Sequence, residues 1–103
     1  MTGVRPAIAP VVKDIGAKVI AKEYGEWRYS WRVVVEATPH SECDTRVVFV
    51  DGDDFEVASD SDFATVPPSG QLVVRGTIGI DEELARTITN TLASVNVYSN
   101  DPA

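Results

Sequence analysis

The chain has few of the residues that usually carry catalysis or bind transition metals. Its 103 residues include one histidine, His40, and one cysteine, Cys43. A lone cysteine excludes an internal disulfide, which fits a reducing compartment or an exported domain that needs no cross-link. A structural zinc site needs four ligands and a catalytic one needs three. The sequence therefore predicts a free thiol in a surface loop over 38–44, with no zinc site and no Cys–His nucleophile pair.

Positive charge is also scarce. Nine Lys and Arg residues face 16 Asp and Glu residues, giving a net charge of −7 and a pI near 4.5. Affinity for nucleic acid and for anionic membranes depends on cations, so the composition disfavours both as partners. Arg28, Arg32 and Arg46 are the only hint of a basic patch. No segment approaches the length of a membrane span, and the first residues lack the apolar core of a signal peptide.

The residues that are present indicate one β-rich domain. The hydrophobic fraction is 44%, which is typical of a folded chain. Apolar residues alternate with polar ones instead of recurring at helical spacing. We expect a lead-in over 1–12, one domain over 13–98 and a tail over 99–103. The alternation predicts strands at 15–22, 27–37, 45–50, 55–60, 71–80 and 87–98.

Turn signals separate these strands. Asp51-Gly52 predicts a hairpin turn in which the glycine takes positive φ, and 66–70 contains two prolines that exclude it from a sheet. Asp81 is placed to cap a short helical turn over 81–85. A longer helix over 82–93 is the alternative to the last strand, and its threonines disfavour it. The sequence predicts an all-β, antiparallel, immunoglobulin-like sandwich of six or seven strands with one helical turn near 81–85.

The order of these segments resembles the FxLYD-like group of bacterial immunoglobulin-like modules. The resemblance covers roughly residues 29–80, from a Trp- and Val-rich strand through Val47–Asp53 to the Pro/Gly turn at 66–70. The Leu-Tyr-Asp core of that group is here Phe49-Val50-Asp51. Modules of this group are mostly associated with the cell envelope and are not known as enzymes. The resemblance therefore implies an accessory or binding role outside the cytoplasm, and it transfers no catalytic residue.

An acidic stretch from Phe49 to Phe63 raises the question of a cation site. Calcium takes six to eight oxygen ligands, and Asp51, Asp53 and Asp54 are the candidate ligands. A helix–loop–helix calcium motif is excluded because its sixth position, which needs glycine, is Glu56. The alternative is a hairpin whose turn and outer face are acidic, which also discourages edge-to-edge pairing. No cofactor other than a weakly bound Ca²⁺ is predicted.

A row of aromatic residues marks the second strand. Trp27, Tyr29 and Trp31 share one parity and Arg28 and Arg32 share the other. The aromatic row is either the core of the sandwich or a surface for a partner. Trp27 lies at the start of the strand, so we take Trp27, Arg28 and Arg32 as the candidate partner surface.

These observations favour binding over catalysis. Every acidic cluster is predicted at a turn or on a wet face, where no apolar wall shifts a carboxyl pKa for acid–base work. We therefore expect a non-enzymatic module that contacts another protein, with sheet-edge pairing as one physical route. A calcium-stabilised extracytoplasmic module and a small hydrolase are the alternatives. The oligomeric state is left open.

Overall fold

The computed structural model describes residues 9–98. The predicted tail over 99–103 and most of the predicted lead-in lie outside this range. The described chain forms two antiparallel sheets of three strands each, in the orders β1-β2-β5 and β4-β3-β6. Their bounds are β1 Val11–Glu23, β2 Glu26–Glu36, β3 Glu42–Asp51, β4 Glu56–Thr65, β5 Gln71–Asp81, α1 Glu82–Ala85 and β6 Ile88–Tyr98. The predicted all-β sandwich with a helical turn near 81–85 is confirmed.

Several predicted boundaries need correction. β1 begins at Val11, which pairs with Glu36, so the predicted lead-in over 1–12 runs two residues into the strand. The predicted loop over 38–44 ends early because β3 begins at Glu42. The predicted strand over 55–60 is too short, because β4 remains paired with β3 as far as Thr65.

The choice between helix and strand over 82–93 is resolved in favour of a strand. The helix covers only Glu82–Ala85, and β6 starts at Ile88. Asp81 caps the helix as predicted, since its side chain accepts a hydrogen bond from the Glu83 N–H at 3.2 Å.

The chain crosses between the two sheets three times. The β2–β3 and β4–β5 connections lie side by side at one end, where the backbone of His40 donates to Val66 and that of Ala37 donates to Gly70. The third crossing runs through α1 at the other end, where the Glu82 N–H donates to Gly25. As a result β5 lies against β4, and β1 lies against β6.

The turn between β3 and β4 differs from the predicted Asp-Gly hairpin. Gly52 does not take positive φ; the left-handed residue is Asp54, with φ of 65°. The Asp51 carboxylate accepts hydrogen bonds from the N–H groups of Asp53 at 2.9 Å and Phe55 at 3.0 Å. An Asx-type turn of this kind satisfies the backbone with a side chain, so glycine is not needed at position 52.

The core lies between the sheets, on the parity that the sequence predicts for β2. Trp31, Val33 and Val35 are at most 1% exposed, and Tyr29 packs against Phe49 of the opposite sheet with ring centroids 5.3 Å apart. On β4, by contrast, the inward positions are Ala58, Asp60, Asp62 and Ala64, which pair with Phe49, Val47, Thr45 and Cys43.

Trp31 is the largest of the fully buried side chains, and two neighbours define its position. Its cross-strand partner on β5 is Gly76, and a Cβ placed on that glycine would lie 2.5 Å from the indole Cζ2. The indole Nε1 donates to the Asp60 carboxylate on β4 at 2.8 Å. The indole therefore fills the space left by a missing side chain and links the two sheets by a hydrogen bond.

Replacement of Gly76 tests this packing. Gly76→Ala forces the indole to move, and overpacking of this kind costs about 1–3 kcal/mol of unfolding free energy. The matched control is Gly16→Ala on β1 of the same sheet, where no atom lies within 4 Å of an added Cβ. We expect the control to be neutral or to stabilise by about 0.5 kcal/mol, since Ala has less backbone entropy to lose. Equal urea midpoints for the two variants would contradict the account.

Thr45 gives a second stability prediction. Its side chain is fully buried on β3, and its Oγ1 has no hydrogen-bond partner among residues 9–98. Because an unsatisfied buried hydroxyl costs about 1–3 kcal/mol, we expect Thr45→Val to raise the unfolding free energy by about 1 kcal/mol. Thr77→Val, at an exposed position of β5, should change it by less than about 0.5 kcal/mol. Destabilisation by Thr45→Val in urea unfolding would show that the hydroxyl has a partner in solution.

Candidate functional site

Among the sheet edges formed by residues 9–98, one stands out from the others. β6 forms an outer edge of its sheet and is the one strand of the described chain with no charged residue. Its pairing with β3 skips Thr89 and then continues without a break from Asn90 to Tyr98. A long, regular and neutral edge presents a row of unpaired N–H and C=O groups that can pair with another chain.

The other three outer strands carry features that discourage such pairing. β1 has irregularities at Lys13 and Ile20, which lie outside its register with β2. β4 carries inward-facing charges at Asp60 and Asp62, and β5 carries Arg75 in its middle. Bulges and charges of these kinds are the usual means by which proteins protect sheet edges. β6 has none of these charges, and its single irregularity lies at its start.

A hollow lies beside β6, between it and β1 of the opposite sheet. Its volume is about 390 Å³, and its lining includes Ile15, Tyr29, Ile88 and Thr91. Tyr29 belongs to the core, and its pKa is raised by burial. The inward residues of β6 are only half-buried, whereas those of β3 are fully buried. The sandwich is therefore incompletely closed along its β1/β6 side.

The edge and the hollow together can hold an extended segment. A strand added beside β6 would pair with the free backbone groups of that edge. Alternate side chains of such a strand point inward, and those beside Asn90 and Thr91 would face the hollow. Backbone pairing combined with a pocket for alternate side chains is the usual arrangement of strand addition.

The three calcium candidates do not converge on one point. The Asp51 carboxylate accepts hydrogen bonds from the turn backbone, and Asp53 and Asp54 are exposed on the loop. Across residues 9–98, no group of three or more His, Cys, Asp or Glu side chains is arranged to hold a metal ion. The geometry gives the calcium alternative no support, and it stays a prediction.

Of the acidic residues further along the hairpin, Asp60 is not solvated as the sequence predicts. Asp60 and Asp62 occupy inward positions of β4, because the register is shifted between Phe49 and Val50. Asp60 is half-buried and accepts the Trp31 hydrogen bond. The prediction of a solvated acidic face on β4 is therefore wrong for Asp60, whereas Asp62 shares its parity and is exposed as predicted. Phe55, which directly precedes β4, lies outside the core and is 70% exposed.

Trp27 belongs to a cluster that joins the β1–β2 hairpin to α1. The Lys22 Nζ lies 4.2 Å from the ring centroid, and the Arg86 guanidinium carbon lies at 5.6 Å. Arg86 also pairs with Glu82 at 2.7 Å, and its hydrogen bond lowers the pKa of that carboxyl. Trp27 therefore takes part in the packing between the β1–β2 hairpin and the end of α1.

Arg28 and Arg32 lie on a different surface from Trp27. Both are exposed on the outer face of the β1-β2-β5 sheet, whereas Trp27 has the parity of the core. Arg46, the third cation of the suggested basic patch, lies on β3 of the other sheet and pairs with Glu56 at 3.0 Å. The predicted partner surface is therefore not one surface.

His40 and Cys43 are separated by the start of β3. His40 is exposed in the β2–β3 connection with φ of 69°, whereas Cys43 is fully buried in the core. The predicted surface thiol is wrong, because β3 begins at Glu42 and places Cys43 on its inward side. A cross-link through Cys43 between folded chains is excluded by this burial. The hydrolase alternative gains no nucleophile–base pair from these two residues.

The open edge was not among the residues singled out from the sequence, although a signal for it is present. Residues 87–98 contain no charge in a chain whose charged fraction is 24%. That neutrality marks an unprotected edge only when the strand is known to lie at the edge of a sheet. Strand order is set by contacts across the chain, and local alternation does not reveal it.

Comparison with known proteins supports the fold alone. No protein-family model matches the chain, and no curated protein matches it. The crystal structure of cj0090 from Campylobacter jejuni is similar over 84% of this chain and 85% of that chain, with a TM-score of 0.51 and 13% sequence identity. Within residues 9–98, no helix has the length and apolar character needed to cross a membrane.

The burial of Cys43 leads to a labelling prediction. Burial raises the pKa of this thiol and removes it from solvent, so a thiol reagent has to wait for the core to open. We expect reaction with Ellman's reagent to be slow in native buffer and to accelerate with urea along the unfolding transition. Rapid stoichiometric labelling of the folded protein would contradict the position of β3.

Proposed function

We propose that the protein is a non-enzymatic binding module that accepts an extended segment of another protein as an added strand beside β6. The observation that carries the proposal is the neutral, regular edge of Asn90–Tyr98 next to the hollow between β1 and β6. Pairing at this edge requires no charged side chain to be desolvated. The inward side chains of the added strand would cover half-buried residues such as Val95.

The strand order supports the same position. In seven-stranded immunoglobulin-type sandwiches, the sixth strand lies between the third and the seventh. Here β6 is paired with β3 on one side, and no strand of residues 9–98 lies on its other side. We infer an immunoglobulin-like arrangement in which the place of the seventh strand is open to a partner.

The resemblance of residues 29–80 to the FxLYD-like modules supports a binding role. It also supports placement in the cell envelope or another extracytoplasmic setting. In the present fold, the residues that carry the resemblance lie mainly in β2, β3 and β5 and the connections between them. These elements form the framework of the sandwich and leave the edge of β6 free.

Site-specific photo-crosslinking tests the proposal and does not require the partner to be identified beforehand. Ser94 on β6 and Ser61 on β4 are both exposed, and each is paired with Arg46 of the central strand. Benzoylphenylalanine in place of either serine therefore probes two matched positions on opposite edges of one sheet. In cells that naturally express the chain, we expect an adduct with one defined protein from position 94 and none from position 61.

A second variant separates specific docking from chance proximity. Thr91→Lys adds a charge at the hollow, on the inward side of β6. We expect it to abolish the adduct from position 94 while leaving the circular dichroism spectrum unchanged. Equal adducts from both positions, or an adduct that persists with Thr91→Lys, would overturn strand addition at β6.

A further inference from the structure

A second surface lies on the open face of the β1-β2-β5 sheet. Four of the nine Lys and Arg residues of this acidic chain project from that face. We call it the cationic face and define it by Lys18, Arg28, Arg32 and Arg75. It lies on the opposite sheet from β6, so it goes beyond the proposed strand addition.

The register of the sheet brings these cations close together. Arg32 of β2 is paired directly with Arg75 of β5, and its other neighbour is Gly16 of β1. Residues directly opposite on one face have Cβ atoms about 5 Å apart, and like charges in that arrangement are destabilising. The next row places Lys18 beside Ser30.

Carboxylates occupy the two ends of this face, and the cations lie in the rows between them. The carboxylates are Asp14 and Glu36 at one end and Glu23, Glu26 and Asp81 at the other. Arg32 pairs with Asp14 at 3.2 Å. Among residues 9–98, no carboxylate lies within ion-pair distance of Lys18, Arg28 or Arg75. By contrast, Arg46 and Arg86 elsewhere in the molecule are both paired. The cations without an ion pair therefore lie together in the middle rows of this face, on a molecule of net charge −7.

The cationic face contains a recess between its cationic side chains. A shallow hollow of about 460 Å³ is lined by Gly16, Lys18, Ser30, Arg32 and Arg75, together with backbone neighbours. Gly16 adds no side chain, and no atom lies within 4 Å of the position of its absent Cβ. Cationic side chains therefore surround a floor made of a glycine and a hydroxyl. Arginine forks bind carboxylates in a bidentate manner.

We propose that the cationic face binds an acidic peptide segment, with side-chain carboxylates of that segment held between Arg32, Arg75 and Lys18. Nucleic acid fits less well because the outward residues of this face, such as Ser30, Val34 and Thr77, include no aromatic ring. Single-stranded nucleic acid uses such rings for base stacking.

Fluorescence anisotropy with labelled hexaglutamate tests the proposal on the intact chain. We expect binding at about 0.01 M ionic strength and its loss near 1 M, where the screening length falls from about 30 Å to about 3 Å. The double variant Arg32→Gln/Arg75→Gln should weaken binding at least about tenfold, or about 1.4 kcal/mol. Its melting temperature should change little, because the variant removes a like-charge pair together with the exposed Arg32–Asp14 ion pair.

Two controls distinguish a site from general charge. Arg46→Gln/Arg86→Gln removes the same charge from positions off this face and should leave hexaglutamate affinity unchanged. Gly16→Val fills the hollow without altering charge, and it should weaken binding as the double variant does. Equal losses in the two double variants, or no binding at low salt, would overturn the proposal.

A further experiment distinguishes binding of an acidic peptide from binding of nucleic acid. If labelled oligothymidylate binds more tightly than hexaglutamate and depends on Arg32 and Arg75, the cationic face is a nucleic-acid surface and the peptide proposal fails. Photo-crosslinking at Ser94 is independent of this experiment, because Ser94 lies on the other sheet. The two proposals can therefore fail separately.

Discussion

The packing of Trp31 against Gly76, with Asp60 accepting the indole hydrogen bond, ties together three strands from two sheets. An aromatic side chain of this size buries about 200 Å², which corresponds to about 5 kcal/mol of hydrophobic stabilisation. The glycine makes room for the ring, and the carboxylate satisfies its buried N–H group. Since the indole is only 1% exposed, removal of any one of these three groups leaves a clash, a cavity or an unsatisfied donor.

This contact closes only one side of the sandwich. The Trp31–Asp60 hydrogen bond joins β2 to β4 on the side where β4 lies against β5, whereas no side-chain hydrogen bond within residues 9–98 joins β1 to β6. The inward residues on that side stay half-buried, and a hollow remains between the two strands. Within residues 9–98, the unpaired outer edge of β6 lies on this same side. The partner strand is therefore proposed to bind on the β1/β6 side, where the core is incompletely closed.

The fold could be predicted from local patterns, but the surfaces could not. Strict alternation over 27–37 identified the core face of β2, and the threonines over 87–98 favoured a strand over a helix. The inward position of Asp60 depends on a register shift in the β3–β4 hairpin, and the pairing of Arg32 with Arg75 depends on strands far apart in sequence. Open edges and cationic faces depend on strand order, and strand order cannot be inferred from the local alternation of apolar and polar residues.

We propose that the edge of β6 left unpaired within residues 9–98 is the partner-binding site. Residue-resolved amide hydrogen exchange tests it most directly, measured on the chain alone and in complex with the protein recovered by crosslinking from position 94. The account predicts that amides along Asn90–Tyr98 become protected in the complex, while those of the β1, β4 and β5 edges exchange as before. Protection confined to another edge, or unchanged exchange along β6, would contradict it.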